Sequence, residues 1–108
     1  MNKKVSIIIV NYNGKHFLKD CLSSIQNQTY KNIEVIIVDN NSQDGSVPYI
    51  QKRYPRIKLI KNNTNLGFAK PNNQGAIKAT GEYLFLLNND TELFVDTVQK
   101  LVSNYQNK

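Results

Sequence analysis

A chain of 108 residues has room for one domain, a single sheet with its covering helices, spanning residues 1–108. Its composition, 40% hydrophobic and 20% charged residues, is that of a folded globular protein and excludes disordered and collagen-like chains. The net charge of +6 favours anionic partners, but the lysines are scattered and no arginine-rich run occurs, so we expect no nucleic-acid partner.

The chain begins with a β-branched apolar run at residues 5–10, which predicts a buried strand. Apolar residues then recur at helical spacing: Phe17, Leu18, Cys21, Leu22 and Ile25. Asn13 or Gly14 can begin this helix. The pattern makes Cys21 a core residue, and as the only cysteine it excludes an intrachain disulfide.

Two further strands are predicted at residues 33–38 and 57–60, because both runs are short, apolar and continuous. The interval between them predicts a second helix. Pro48 suits the first turn of this helix, and Pro55 ends it. Because the apolar runs do not alternate with polar residues, we expect every strand to be buried on both faces of the sheet.

A third helix is predicted over residues 68–79, with Gly81 as its C-terminal cap. A fourth strand follows at residues 83–87. The last helix is predicted from Val95 to the end of the chain. The resulting order, βαβαβαβα, predicts a parallel sheet of four strands with right-handed crossovers and helices on both faces.

The loops that follow the predicted strands are dense in Asn, Asp and Gly. They comprise residues 11–14, 39–46, 62–68 and 88–91. In an open parallel sheet, ligands bind outside the carboxyl ends of the strands. The preference of Asn, Asp and Gly for turns and helix caps is enough to explain the composition of any one of these loops. However, Asp39 and Asp90 follow two buried strands on the same rim, where one carboxylate can accept a hydrogen bond from a base or ribose and another can hold a divalent cation against a diphosphate.

Three stretches carry a family resemblance: VSIIIVNYNG, IEVIIVDNNSQDGS and NNTNLGFAKPNNQGAIKATGEYLFLLNNDTEL. In order and spacing they are similar to the N-terminal half of family 2 glycosyltransferases, especially the rhamnosyltransferase-like branch. The resemblance covers nearly the whole chain. It implies an α/β fold of the Rossmann-like GT-A type, a three-layer α/β/α arrangement, in which this chain is the nucleotide-sugar-binding part.

The resemblance also implies a nucleotide pocket and a metal site. The nucleotide-binding residues would be Asn11, Tyr12, Asn13, Asp39, Asn41, Asn65, Gly67, Phe68, Asn72, Asn73 and Asn89. Asp39 would hydrogen-bond the uracil or thymine ring, and Asp90 would help to bind Mn²⁺ or Mg²⁺ and the donor phosphates. The chain departs from the family at Asn88, which stands where the Asp-x-Asp motif has its first Asp, and at Lys70 and Pro71, which replace small residues.

The activity that the resemblance implies is transfer of a sugar from a UDP- or dTDP-sugar to a saccharide or lipid-linked acceptor, in polysaccharide or cell-envelope glycan synthesis. The family's catalytic base and acceptor surface lie in its second half, beyond the matching residues, so no catalytic residue is assigned. The alternative is a truncated, non-catalytic nucleotide-binding module. A dehydrogenase is disfavoured because the first turn, Asn-Tyr-Asn-Gly, lacks the G-x-G-x-x-G fingerprint.

The remaining expectations concern four acidic side chains, the cellular location and the oligomeric state. Glu34 and Glu82 lie at predicted strand edges and are expected to be solvated, while Glu92 and Asp96 match the preference of a helix N-terminus for acidic residues. The first apolar run is too short for a signal peptide or a membrane span. We therefore expect a cytoplasmic protein with only peripheral contact to the inner face of the membrane. An uncovered sheet edge would favour a homo-oligomer.

Overall fold

The structure is a computed structural model that describes residues 2–106. Its elements are β1 (Val5–Asn11), α1 (Lys15–Gln26), β2 (Ile33–Asp39), α2 (Ser46–Arg53), β3 (Lys58–Lys61), α3 (Ala69–Lys78), β4 (Tyr83–Asn88) and α4 (Thr97–Gln106). Strands and helices alternate in the predicted order, so the α/β prediction is confirmed. None of the helices in this described part is long and apolar enough to cross a bilayer.

The four strands form one parallel sheet in the order β3-β2-β1-β4. The central strand β1 pairs with β2 up to Asn11 opposite Asp39, and with β4 up to Val10 opposite Asn88. The carboxyl ends of these three strands therefore meet at one rim. The chain builds outward from β1 to β3 and then returns to the other side of β1, which makes the β1–β4 boundary the point where the strand order reverses.

Helices cover both faces of the sheet, as predicted. The larger core packs β1 side chains such as Ile7 and Ile9 against α1, α2 and α4. On the other face, Ile8 packs with β2 and α3 in a smaller core. Gly75 lets α3 lie close to the sheet, because a Cβ atom at this position would be 2.5 Å from Cγ2 of Ile8. The result is a three-layer α/β/α arrangement.

The prediction that all strands are buried on both faces is wrong for the edge strands β3 and β4. Leu84 and Leu86 are each 52% exposed, and both ends of β3 are exposed. The physical reason is that α3 packs mainly on β1 and β2, whereas β3 and β4 lie at the two edges of the sheet. An apolar run in the sequence does not reveal which strand will lie at the edge.

Two helix ends differ from the predictions. Gly81 does not cap α3, because the helix ends at Lys78 and continues into extended backbone at Ala79. Gly81 instead approaches β1, where its N–H donates a 2.8 Å hydrogen bond to Oγ of Ser6. The last helix begins two residues later than predicted and leaves Val95 exposed. Its predicted continuation over residues 107–108 lies outside the described residues.

Cys21 is a core residue, as predicted. Its side chain is 1% exposed, and burial together with the nearby charge of Asp90 raises the pKa of the thiol to about 11. A thiol with such a pKa stays protonated at neutral pH and behaves as a small apolar side chain.

The prediction of a solvated Glu34 is wrong. Its side chain is 9% exposed, and its Oε1 lies 2.8 Å from Nζ of Lys58. Its Oε2 accepts hydrogen bonds from Oγ of Ser6 at 2.5 Å and from the backbone N–H of Thr80 at 2.6 Å. Burial raises the pKa of Glu34, but the hydrogen bonds to Lys58, Ser6 and Thr80 outweigh this effect and lower the pKa to about 2. Glu34 thus ties β2 to β3 and to the segment that follows α3.

We predict that Glu34→Gln lowers the free energy of unfolding by about 2 kcal/mol at neutral pH, because Lys58 would lose its ionic partner. The pKa in the folded state lies below the ordinary value of 4.5. The contribution of the carboxylate is therefore complete above the ordinary pKa and is lost as the pH falls toward the folded-state value. Urea unfolding at neutral pH and near the folded-state pKa measures this. The exposed Glu82, changed to Gln, is the control, and a deficit that is the same at both pH values would contradict the prediction.

Candidate functional site

A groove of about 520 Å³ lies at the carboxyl ends of the strands, beside the β1–β4 boundary. It is lined by Val10, Tyr12, Asn40, Asn65, Gly67, Phe68, Leu87, Asn88, Asn89 and Asp90. Six of the residues that the sequence assigned to the site are in this lining: Tyr12, Asn65, Gly67, Phe68, Asn89 and Asp90. The volume is within the range of pockets that hold small molecules.

Asp39 ends β2 and is buried beside the groove, with 1% of its surface exposed. Its Oδ1 accepts hydrogen bonds from Nδ2 of Asn11 at 2.9 Å and from Oγ of Ser42 at 2.7 Å, and its Oδ2 accepts one from the N–H of Ser42 at 2.8 Å. A carboxylate oxygen has two lone pairs. Oδ2 therefore has a second lone pair, and the turn at Ser42 holds the carboxylate in place.

Asn11 ends β1 and does not line the groove. Its side chain is completely buried. Nδ2 donates to Asp39, and Oδ1 accepts a 2.9 Å hydrogen bond from Nδ2 of Asn89. The amide of Asn11 is thus occupied at both ends and joins a residue after β2 to a residue after β4.

Asn13 and Asn41 shape the turns next to the groove. Both have left-handed backbones, with φ of 52° and 65°, a conformation that Asn adopts more readily than most residues. Oδ1 of Asn13 accepts a 2.7 Å hydrogen bond from the N–H of Gln43, and the N–H of Asn13 donates to Oγ of Ser42. These contacts fasten the loop after β1 to the loop after β2.

Asn40 lines the groove but was not predicted as a site residue. It is 2% exposed, and its Nδ2 donates a 2.7 Å hydrogen bond to the carbonyl of Gly67. Its Oδ1 accepts from Nδ2 of Asn62 at 3.1 Å and from the N–H of Leu66 at 3.3 Å. Asn40 therefore holds the loop between β3 and α3 against the end of β2. The available signal was its position directly after Asp39.

Two aromatic side chains and a turn at Gly67 form the mouth of the groove. Tyr12 is 52% exposed and Phe68 is 62% exposed, so both aromatic side chains are accessible to a ligand. Gly67 has a φ of 84°, which favours glycine, and its N–H donates a 2.8 Å hydrogen bond to Oδ1 of Asn65. Exposed aromatic rings beside a polar groove are suited to stacking on a planar base.

The two candidates on α3 lie outside the lining of the groove. Asn72 is buried, and its Nδ2 donates a 3.1 Å hydrogen bond to the carbonyl of Phe68. It therefore supports the first turn of α3. Asn73 is exposed.

The loop after β4 offers oxygen atoms to a cation. Asp90 is exposed in the groove, and the carbonyl and amide oxygens of Asn88 and Asn89 are close to it in the chain. Residues 2–106 contain no cluster of three or more His, Cys, Asp or Glu side chains. Mg²⁺ is commonly held by one or two carboxylates together with substrate phosphates. One exposed carboxylate with neighbouring oxygens therefore fits a hard divalent cation that a phosphate ligand also coordinates.

Comparison with known proteins gives a consistent result. Residues 6–108 match the model of the family described as "Glycosyl transferase family 2". The chain is 35% identical over 103 residues to the "GalNAc(5)-diNAcBac-PP-undecaprenol beta-1,3-glucosyltransferase" of Campylobacter jejuni, a match that covers 92% of this chain and 33% of that protein. The chain spans between 16% and 40% of the length of curated relatives such as this one.

Solved structures are similar over most of the chain. S. aureus TarS, residues 1–349, in complex with UDP-GlcNAc has a TM-score of 0.87 and 25% sequence identity, with 96% of this chain and 31% of that chain covered. A mannosyltransferase from Pyrobaculum calidifontis in complex with GDP-Man and Mn²⁺ has a TM-score of 0.73 and 27% identity, with 83% and 28% covered.

Proposed function

Because this chain belongs to glycosyl transferase family 2, we propose that its groove binds the nucleotide of a UDP- or dTDP-sugar donor. The sugar is transferred to a saccharide or lipid-linked acceptor in polysaccharide or cell-envelope glycan synthesis. The observation that carries the proposal is that one groove brings together two aromatic rings and the exposed carboxylate of Asp90, while the buried Asp39 directly precedes the lining residue Asn40. The complexes of TarS with UDP and UDP-GlcNAc support the uridine donor.

Each part of the nucleotide would have its own partner. The base lies between Tyr12 and Phe68, and Asp39 accepts a hydrogen bond from its ring N–H. Uracil and thymine carry such an N–H, whereas adenine presents an acceptor at the corresponding ring nitrogen. Adenine would therefore give the carboxylate of Asp39 no hydrogen-bond donor. This weakens binding of the nucleotide, because unpaired buried polar groups are costly. Asp39 thus favours uracil or thymine over adenine.

Asp90 would hold Mn²⁺ or Mg²⁺, and the bound cation supplies positive charge against the donor diphosphate. The proposal is supported by the Mn²⁺ in the complex of the Pyrobaculum mannosyltransferase. The carboxylate of Asp90, with nearby amide and carbonyl oxygens, orients the phosphates at the rim while the base stays near Asp39.

A thermal-shift panel of UDP, dTDP, GDP and ADP, each with and without Mn²⁺, tests this function. We expect UDP or dTDP to stabilise the fold more than either purine nucleotide. Ligand at about 100 times its dissociation constant adds about 2.7 kcal/mol to the free energy of unfolding. A melting-temperature shift with ADP as large as the shift with UDP would refute the hydrogen bond from the base N–H to Asp39, and an equally large shift with GDP would refute the preference for a pyrimidine.

A second candidate function is a nucleotide-binding module that does not transfer sugar. The groove and Asp90, which nucleotide binding would need, both lie within residues 2–106. Diphosphate binding needs only the rim and a cation, whereas inverting transfer also needs a base within hydrogen-bond reach of the acceptor hydroxyl. We propose that the 108 residues bind nucleotide without turnover, and multiple-turnover transfer by this chain alone would overturn that proposal.

We also propose that two copies associate through β4. This strand pairs only with β1, so one edge of its backbone is open within the described residues. Leu84 and Leu86 are half exposed on one face, and a cleft of about 390 Å³ beside Tyr83 and Tyr105 lies on the other. Open edges and exposed apolar side chains favour pairing with a second chain. Light scattering that detects only monomer at high concentration would count against the dimer.

A peripheral contact with an anionic membrane is consistent with the charges at the end of the sheet opposite the groove. Cationic residues gather there at the starts of strands and the ends of helices: Lys3, Lys4, Lys31, Arg53, Arg56, Lys58 and Lys78. We propose a cytoplasmic protein that uses this basic end at the inner face of the membrane. Equal sedimentation with anionic and neutral vesicles would argue against this contact.

A further inference from the structure

We propose that Asn11 and Asn89 are positioning residues that link recognition of the base to binding of the cation. The proposal rests on the proposed function, which assigns the base to Asp39 and the cation to Asp90. Neither link residue needs to touch the base. The consequence is that occupation of the base site increases the affinity of the cation site.

A continuous chain of hydrogen bonds joins the two sites. Oδ1 of Asp39 accepts from Nδ2 of Asn11 at 2.9 Å, and Oδ1 of Asn11 accepts from Nδ2 of Asn89 at 2.9 Å. These residues follow or end three adjacent strands, with β1 in the centre. Asn89 is the residue directly before Asp90, so the backbone that carries the metal-site carboxylate is fastened to the carboxylate of the base site.

The charge on Asp39 determines which atoms donate and which accept in this series of hydrogen bonds. An ionised carboxylate only accepts hydrogen bonds, so Asn11 must turn its Nδ2 toward Asp39. Oδ1 of Asn11 then faces the other neighbour and requires a donor, which an Asn at position 89 supplies and an Asp would not. Oδ1 of Asn89 takes no part in these two hydrogen bonds, and amide oxygens of this type are ligands of hard cations.

Gly14 shows how closely the link is enclosed. A Cβ atom at this position would overlap Nδ2 of Asn89 and lie 2.6 Å from Oδ1 of Asn11. The φ of Gly14 is −106°, which any residue adopts, so the glycine is needed for space and not for its backbone conformation. The hydrogen bond between Asn11 and Asn89 lies directly beside Gly14, the residue that precedes α1. The Asn11–Asn89 hydrogen bond therefore occupies the space that a side chain at position 14 would need.

The test measures Mn²⁺ affinity with and without uridine, by electron paramagnetic resonance of the free ion. Uridine has no phosphate and cannot coordinate the cation, so any effect passes through the protein. We expect saturating uridine to tighten Mn²⁺ binding about 5-fold in the parent, at the lower end of measured couplings between sites. In Asn89→Ala, the affinity for Mn²⁺ itself can fall because an amide oxygen beside Asp90 is lost, and the expected result is that the ratio of the affinities with and without uridine falls to about 1.

Asn11→Leu removes both hydrogen bonds of the buried central residue and should abolish the same coupling. Because this core variant can also lose stability, the partly exposed Asn89 provides the decisive variant. Asn104→Ala, an exposed change on α4, is the matched control and should retain the parent ratio. Retention of the coupling in Asn89→Ala, or its absence in the parent with every nucleoside, would overturn the proposal.

The outcomes separate the link from the proposed function. If uridine binds in preference to adenosine but leaves Mn²⁺ affinity unchanged, the link is wrong and the pyrimidine site stands. If adenosine produces the same coupling as uridine, and Asn89→Ala removes it, the link stands and the pyrimidine assignment fails.

Discussion

Replacement of Asp90 by alanine is expected to weaken UDP binding about 100-fold in the presence of Mn²⁺, which corresponds to about 2.7 kcal/mol. Without the cation, UDP binding should be unchanged. Asp90 is exposed at the rim, so its removal leaves the core packing intact. Isothermal titration calorimetry with and without Mn²⁺ measures both affinities, and unfolding in urea measures stability.

The matched control for this variant is Glu92→Ala. Glu92 is exposed, two residues further along the same loop, and lies outside the groove lining. It should bind UDP as the parent does in both conditions. If both variants lose affinity equally, the loss reflects the charge of the loop and not a cation site at Asp90.

Asp39→Ala is expected to weaken UDP binding about 100-fold with or without Mn²⁺ and to lower the free energy of unfolding by about 3 kcal/mol. The carboxylate is buried and accepts three hydrogen bonds, from Asn11 and Ser42. Its loss leaves the N–H of Ser42 and Nδ2 of Asn11 without an acceptor. Calorimetry and urea unfolding measure the two effects separately.

Asp44→Ala separates the two effects, because Asp44 stabilises the same loop without reaching the groove lining. Its carboxylate accepts hydrogen bonds from the N–H of Lys15 at 2.9 Å and from the N–H of Ser46 at 3.0 Å. Burial raises the pKa of Asp44, but hydrogen bonds from Ser46 and Lys15 outweigh this and lower it. The variant should lose about 1 kcal/mol of stability, as for loss of a helix cap, and keep its affinity for UDP. Equal losses of UDP affinity in both variants would refute a direct role for Asp39.

The order and type of the elements were predictable from the sequence because those signals are local. Continuous apolar runs indicated the strands, and helical spacing placed Cys21 in the core. Turn-forming residues marked the strand ends, so Asp39 and Asp90 could be assigned to one rim before any strand order was known. Pro48 and Gly14 also lie at helix starts, as their local preferences indicate.

The tertiary structure alone decided which of these local features meet. Asn11, Asp39 and Asn89 lie 28 and 78 positions apart in the hydrogen-bonded pairs that they form. Likewise Glu34 contacts Lys58 and Thr80, and its burial could not be read from a strand-edge position. Leu84 is exposed because β4 is an edge strand. Sequence periodicity reports the preferences of one segment at a time, whereas strand order determines which side chains become neighbours, and those neighbours set burial, hydrogen bonding and charge.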